Sequence, residues 1–237
     1  MIVSISQPAY LPWLGYFSRI ARSDLAIVLD SVMLERGSKT RFTNRNKIRI
    51  PSGWTWLTVP VKTAGLGQPL ICDVELDTTQ RWAEKHFRAI HQNYSHAPYF
   101  GAHHDWLESF YRKSWTFLAP MLNESTSYLL KTLRIDTPLL FSSKMPVTGQ
   151  KSQLILNLCK HVGADTYLSG PLGRDYLDLE AFAAAGVNLL FDDYAHPTYP
   201  QLHGGFAPYM STIDLLFNCG HDSLRILQSG TRMKEEC

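Results

Sequence analysis

The 237-residue chain has no apolar run near the length a membrane-spanning helix needs. Its longest stretches, such as Leu25 to Leu29 and Leu215 to Phe217, are a fraction of the ~20 residues required. It also lacks an excess of either charge: 23 Lys and Arg face 21 Asp and Glu, a formal +2. So balanced a chain has no long-range field to steer it onto a polyanion, and nucleic acid is not an expected partner. Cysteine is sparse and scattered. Cys72, Cys159, Cys219 and Cys237 form no C-x-x-C pair, which argues against a zinc ribbon or dithiol redox site and leaves buried free thiols as the expectation. The apolar opening Ile2 to Ile5 has no basic residues ahead of it and is interrupted by Gln7, Pro8 and Pro12. No secretory leader is expected, and the chain reads as cytoplasmic. Internal repeats, low-complexity linkers, H-E-x-x-H pairs and P-loops are absent as well.

Aromatic residues, by contrast, are abundant: 6 Trp, 11 Tyr and 11 Phe, many beside Gly, Pro, His or Asn in turn-like sequence. Aromatics on loops supply rigid apolar area with a polar handle and commonly line ligand clefts.

Periodicity predicts a strand over Met1 to Ser6, a helix entered at Pro12 with Leu14, Phe17 and Ile20 on one face, and a strand over Leu25 to Leu29. This strand, helix, strand unit within about thirty residues is the mark of a parallel pair with a crossover. Glu35 to Asn46 reads as a long loop. Lys47 to Ile50 and Trp54 to Val61 form a hairpin about Pro51-Ser52-Gly53, and Leu70 to Leu76 is a further strand. Helices are expected from Thr79, over Trp106 to Leu118 and over Met121 to Leu133, then a strand at Thr137 to Phe141. Lys151 to Val162 is a helix stopped by Gly163, Thr166 to Leu168 a strand, Leu179 to Ala185 a helix stopped by Gly186, and Val187 to Phe191 a strand. The fold class is α/β, a mainly parallel sheet with crossover helices, as one domain over 1–237 with a hairpin and a helical insertion over roughly 79–134.

Five stretches carry candidate chemistry. At the end of the first strand, Gln7 supplies an amide, Tyr10, Trp13 and Tyr16 can wall a pocket, and Gly15 permits close approach. The alternative is an aromatic plug over the sheet edge. Lys39 to Lys47 interleaves cations with amides, and Asn44, Arg45 and Asn46 suit phosphate or carboxylate, unless the segment is a solvated loop. Among the histidines, His86 is the acid/base or anion candidate, and His103-His104 carries no metal-ligand spacing, so no metal site is assigned. Ser169, Gly170 and Arg174 lie in a Ser-Gly-Pro-x-Gly-Arg loop that exposes N–H groups, a hydroxyl and a guanidinium, or is an ordinary strand-to-helix turn. His196 and Gln201 lie in the irregular stretch from Tyr194, which leads through Ser211 as N-cap, with Asp214 as a capping-box partner, into a short helix stopped by Gly220. That stretch either reaches a ligand or covers the core.

Gln7-Pro-Ala-Tyr-Leu-Pro-Trp-Leu-Gly-Tyr-Phe, Phe42-Thr-Asn-Arg-Asn-Lys-Ile with Trp56-Leu-Thr-Val-Pro-Val-Lys62, and Tyr194-Ala-His-Pro-Thr-Tyr-Pro-Gln with Met210 to Gly220 resemble the WbqC-like family. The likeness extends through His86, Tyr94 to Phe100 and Thr166 to Gly170, nearly the whole chain. The family's first motif usually opens with His before Gln-Pro, where this chain has Ser6. The resemblance implies a role in surface polysaccharide (O-antigen) synthesis: an enzyme forming an acyl or aminoacyl bond, such as a glycyl one, to an amino group of a sugar nucleotide or other small metabolite. A non-catalytic nucleotide- or glycan-precursor-binding protein is the alternative. Lys62, His86 and His196 are the catalytic candidates on this reading. The opening strand, turn and helix also resemble the nucleotidylyltransferase type of α/β fold, without its His-x-Gly-His signature. That likeness implies ATP as a co-substrate activating an amino acid.

Overall fold

The computed structural model describes residues 1–34, 42–62 and 67–231, and the backbone of 233–235. Residues 35–41, which include Lys39 and Arg41 of the expected basic loop, lie outside the described residues, as does Cys237.

In chain order the elements are β1 (Ile2–Ser6), α1 (Leu14–Ala21), β2 (Leu25–Val28), the hairpin strands β3 (Arg45–Ile50) and β4 (Gly53–Thr58), then helices α2 (Trp82–Tyr94), α3 (Gly101–Arg112) and α4 (Leu118–Thr132). They continue with β5 (Leu139–Phe141), α5 (Lys151–His161), β6 (Thr166–Ser169), α6 (Leu179–Ala184), β7 (Asn188–Asp192), α7 (Thr212–Cys219), α8 (Ser223–Ser229) and β8 (Met233–Glu235). The main sheet runs in the order β5-β2-β1-β6-β7-β8, parallel except for β8 against β7, so the expected α/β class holds. From β1 the chain builds outward to β2 and β5. Sequence then resumes on β1's other side with β6 and β7, and the order reverses between β1 and β6.

Period-2 alternation divides the strands between two cores. Val3, Ile5, Ile27 and Leu29 pack under Leu154, Ile155 and Leu158 of α5 and Phe182 of α6. Ala26 belongs to the opposite core with Leu14, Phe17 and Ile20 of α1, and that core continues through α2, α3, α4, the hairpin and α7. The helix stops expected at Gly163 and Gly186 adopt φ of 70° and 71°, the left-handed conformation that glycine adopts without strain.

Three expectations are corrected, and two elements are added that no expectation covered. Leu70 to Leu76 is a single 3-10 turn at Ile71–Asp73 with isolated bridges from Leu70 to Met33 and from Leu76 to Val61. Its N–H groups go to the loop after β2, Ile71 donating to Val32 O at 2.9 Å and Cys72 to Asp30 O at 2.9 Å, so no partner strand forms. The helices expected over Trp106 to Leu118 and Met121 to Leu133 lie instead at α3 and α4, because the chain is extended at Phe117, which bridges Glu75. The terminal α8 and β8 had no clear sequence signal. Asp214, expected to close a capping box, turns inward.

Asp214 is fully buried on α7. Its Oδ1 accepts the Tyr94 hydroxyl at 2.7 Å, and its Oδ2 accepts Tyr199 Oη at 2.9 Å and Gln201 Nε2 at 2.7 Å. Burial pushes its carboxyl pKa up, and these donors and Arg49 oppose the rise. Removing the carboxylate strands the buried Tyr94 and Tyr199 hydroxyls and takes one acceptor from Gln201. Asp214→Ala is therefore expected to lower the unfolding free energy by about 3–5 kcal/mol in urea denaturation, with Asp214→Asn in between. A loss below about 1 kcal/mol in the alanine variant would contradict this role.

Candidate functional site

The carboxyl ends of β1 and β6, where the strand order reverses, are where open parallel sheets place ligands. A cavity of about 330 Å³ lies there, within the size range of small-molecule sites. β1 and the turn after it contribute Ser6 and Gln7, α1 contributes Tyr16 and Arg19 with Trp13 just ahead of it, and β6 and its following turn contribute Ser169, Gly170 and Leu172. Phe42, Thr43, Tyr167 and Tyr176 complete the wall. A larger depression of about 600 Å³ along α4 and β5 is wide and shallow, lined by the exposed Lys131, Arg134 and Asp136, and lies away from the switch point.

Arg19 is the charged group of the cavity. It follows Tyr16 by one helical turn, so α1 aims both at the same space. Its Nη2 donates to Ser6 Oγ at 3.4 Å, and no carboxylate hydrogen-bonds it among the described residues. The nearby Asp192 instead accepts Arg22 Nη1 at 2.7 Å. Burial draws the Arg19 pKa down, with Asp192 opposing, but a guanidinium stays charged near neutrality. Gly170 packs close to this cation: a Cβ there would lie 3.4 Å from Arg19 Nη1, in van der Waals contact. Gly173 is required for packing, since a Cβ would come within 2.1 Å of Ser169 Oγ. Tyr16 loses solvent on the same wall, and its hydroxyl pKa is pushed up to about 12 by burial, with Arg19 pulling the other way.

Of the residues singled out from sequence, the cavity brings together Gln7, Trp13, Tyr16, Ser169 and Gly170. The structure places the others elsewhere. Tyr10 is buried, with its hydroxyl against His86 Nδ1 at 2.8 Å and against the Tyr111 hydroxyl. Gly15 lies beneath the Trp13 ring, which a Cβ would meet at 2.3 Å, so it serves the indole rather than a ligand. Asn44 Nδ2 donates to Val59 O at 2.7 Å, and Asn46 Nδ2 to Leu11 O at 2.6 Å, where Leu11 holds φ 43°. Arg45 lies over the Trp56 ring on the hairpin. Arg174 grips Asp193 through both guanidinium nitrogens at 2.8 and 3.2 Å. Gln201 binds Asp214 and the Ala207 backbone, and Ser211 Oγ caps Ile213 N at 3.4 Å as expected of an N-cap.

The three catalytic candidates also lie outside the cavity wall. Lys62 is exposed and paired with Glu75 at 2.7 Å, which raises its pKa. His86 is buried against Tyr10, Trp82 and Tyr111. The ring of His196 packs among Tyr194, Tyr199, Phe206 and Tyr209, its Nδ1 against Pro197 O at 3.0 Å and its Nε2 without a partner among the described residues. Burial lowers its pKa. His196 nevertheless buttresses the cavity at one remove, because Tyr194 and Tyr209 meet Trp13 edge-on at 5.7 and 5.9 Å. Arg19 itself was missed in sequence; its one signal was the three-residue spacing from Tyr16.

Fold and cavity define an open α/β protein with a polar, aromatic-walled site at its topological switch point. The chain belongs to the WbqC-like protein family, whose family model matches residues 7–226. It is 35% identical over 223 residues to an uncharacterized protein of Mycobacterium tuberculosis, covering 93% of this chain and 95% of that one. No solved structure matches it. Among the described residues no helix is long and apolar enough to cross a membrane.

His86 gives a stability signature. Burial depresses its pKa to about 4, so the unfolded chain takes up this proton first as pH falls. Its contribution is fully present above pH ~6.5 and is lost toward pH ~4, by about 2 kcal/mol between pH 7 and pH 5. The difference in unfolding free energy between wild type and His86→Gln should shrink by that amount over the same interval. A difference independent of pH would show that the buried imidazole is not the titrating group.

Proposed function

We propose that the cavity at the ends of β1 and β6 binds a small metabolite carrying a phosphate or carboxylate next to a flat or hydroxylated ring. A sugar nucleotide is the class whose parts match the wall. The carrying observation is Arg19, a half-buried cation whose described hydrogen bond is to a neutral hydroxyl and which lines the cavity. Guanidinium binds phosphate and carboxylate oxygens bidentately, and such charge-assisted bonds exceed neutral ones in strength. Trp13, Tyr16 and Phe42 supply ring faces for a base or sugar, while Gln7, Thr43 and Ser169 supply polar groups for hydroxyls.

Thermal unfolding with UDP, UDP-sugars and ATP tests this reading. A ligand at ~100 times its Kd stabilises by about 2.7 kcal/mol, roughly 5–10 °C for a chain of this size. Arg19→Gln should weaken binding about 10- to 100-fold, which at the same ligand concentration cuts the shift to about half at the tenfold end and about a sixth at the hundredfold end, whereas Arg174→Gln, whose partner is Asp193, should keep the shift. An undiminished shift in Arg19→Gln would overturn the assignment.

A second reading is transfer of an acyl or aminoacyl group to an amino group of the bound metabolite. It is favoured by Ser6, Gln7 and Ser169 standing beside Arg19, where they can orient an acceptor. The described cavity wall contributes no imidazole, carboxylate or primary amine. Such a reaction would therefore draw on positioning and on charge stabilisation by Arg19. Amide product formed from a UDP-amino sugar with ATP and glycine, and lost in Arg19→Gln, would favour transfer over binding alone.

A further inference from the structure

The outer face of the β3–β4 hairpin is built as a binding surface. Its register pairs Lys47 with Trp56 and Arg49 with Trp54, so residues 45, 47, 49, 54 and 56 share one face, with Arg49 buried at its end against the Gly53 and Gly204 carbonyls, while Asn46, Ile48 and Leu57 are buried on the other. On the outer face Lys47 Nζ lies 4.4 Å from the Trp54 ring centroid and 5.4 Å from that of Trp56. The two indoles meet edge-on at 5.9 Å and 83°. Trp54 remains 46% exposed. Apart from Arg49, the packing of the hairpin is carried by its inner face, where Asn46, Ile48 and Leu57 are buried. Lys47 has no carboxylate partner among the described residues, so its charge is uncompensated except by the indole faces. The aromatic row then continues from Trp56 to Phe42 at 5.9 Å, and Phe42 is part of the cavity wall.

We propose that this face is a second ligand subsite, for an acidic saccharide. The C–H face of a pyranose ring lies on an indole, and the ring's carboxylate or phosphate meets the Lys47 ammonium. The charge is complementary, and the electron-rich indole face suits polarised C–H groups. Single-stranded nucleic acid is the poorer match. Indoles at 83° to each other do not continue a stack of parallel bases, and a formal +2 lacks the extended positive field that a polyanion needs. The subsite does not depend on what occupies the Arg19 cavity.

The test is calorimetric titration of the full chain with a short oligogalacturonate, its methyl ester, and a single-stranded oligonucleotide of the same charge. Saturable binding of the acid is expected, about tenfold weaker for the ester, for Trp54→Ala and for Lys47→Gln, and unchanged in Arg19→Gln. Lys47→Gln removes the charge and the outer part of the stem that carries it over the indoles. The proposal is overturned by absence of saturable binding, by full affinity in Trp54→Ala or Lys47→Gln, by tighter binding of the oligonucleotide, or by an Arg19→Gln loss, which would place the probe in the cavity instead.

Discussion

The buried carboxylate of Asp214 is the constraint around which one half of the molecule is arranged. A charge with no solvent exposure must be met by donors, and here they come from segments far apart in sequence: Tyr94 on α2, and Tyr199 and Gln201 on the irregular stretch before α7. Each donor carries the constraint further. The Tyr94 oxygen also accepts Arg49 N at 2.8 Å, which ties in the hairpin, and Gln201 accepts Ala207 N at 2.8 Å, which closes the loop on itself. Arg49 in turn donates to the carbonyls of Ile50, Gly53 and Gly204. The loop so fixed presents Tyr194 and Tyr209 to Trp13, and Trp13 walls the cavity. The shape of the site thus depends on a carboxylate that does not itself line it.

Much of the sheet was legible because its physics is local. Val3 and Ile5 alternate with serines, Leu25 to Leu29 is an apolar run of strand length, and Gly163 and Gly186 supply the left-handed residues that end α5 and α6. Leu70 to Leu76 misled because Leu70, Cys72, Val74 and Leu76 alternate, yet burial selects Ile71, Val74 and Leu76, a spacing that an alternating strand does not give. What decided it was a tertiary demand, the hydrogen bonds from Ile71 and Cys72 to the segment after β2, invisible to any window on the sequence.

The candidate site was legible in part for a related reason. Gln7, Trp13, Tyr16, Ser169 and Gly170 follow strand ends, and topology alone carries them to the cavity. Asn46, Arg174, Gln201 and His86 have equally suitable chemistry, but side-chain type reports capacity for hydrogen bonding and not its direction. Irregular backbone leaves N–H and C=O groups that need partners, so polar side chains in such segments are largely consumed internally. Gln201 is an example, its amide spent on the Ala207 N–H and C=O and on Asp214. Arg19 went unnoticed for the opposite reason: it sits within an amphipathic helix whose obvious task is packing.

The balanced composition and the cationic cavity are reconciled by local stoichiometry. Arg19 and Arg22 lie near one buried carboxylate, Asp192, whose own pKa is raised by burial and held back by both arginines. Arg22 takes the direct contact at 2.7 Å. Two cations against one anion leave a positive charge in this layer, and it falls to Arg19 on the cavity wall. Near-neutral overall charge leaves only a weak long-range field, which salt screens beyond the Debye length, about 8 Å in physiological salt, and it does not limit a contact made inside that distance. A small anion entering the cavity completes the pairing that the fold leaves unfinished, which an extended polyanion held at the surface cannot do.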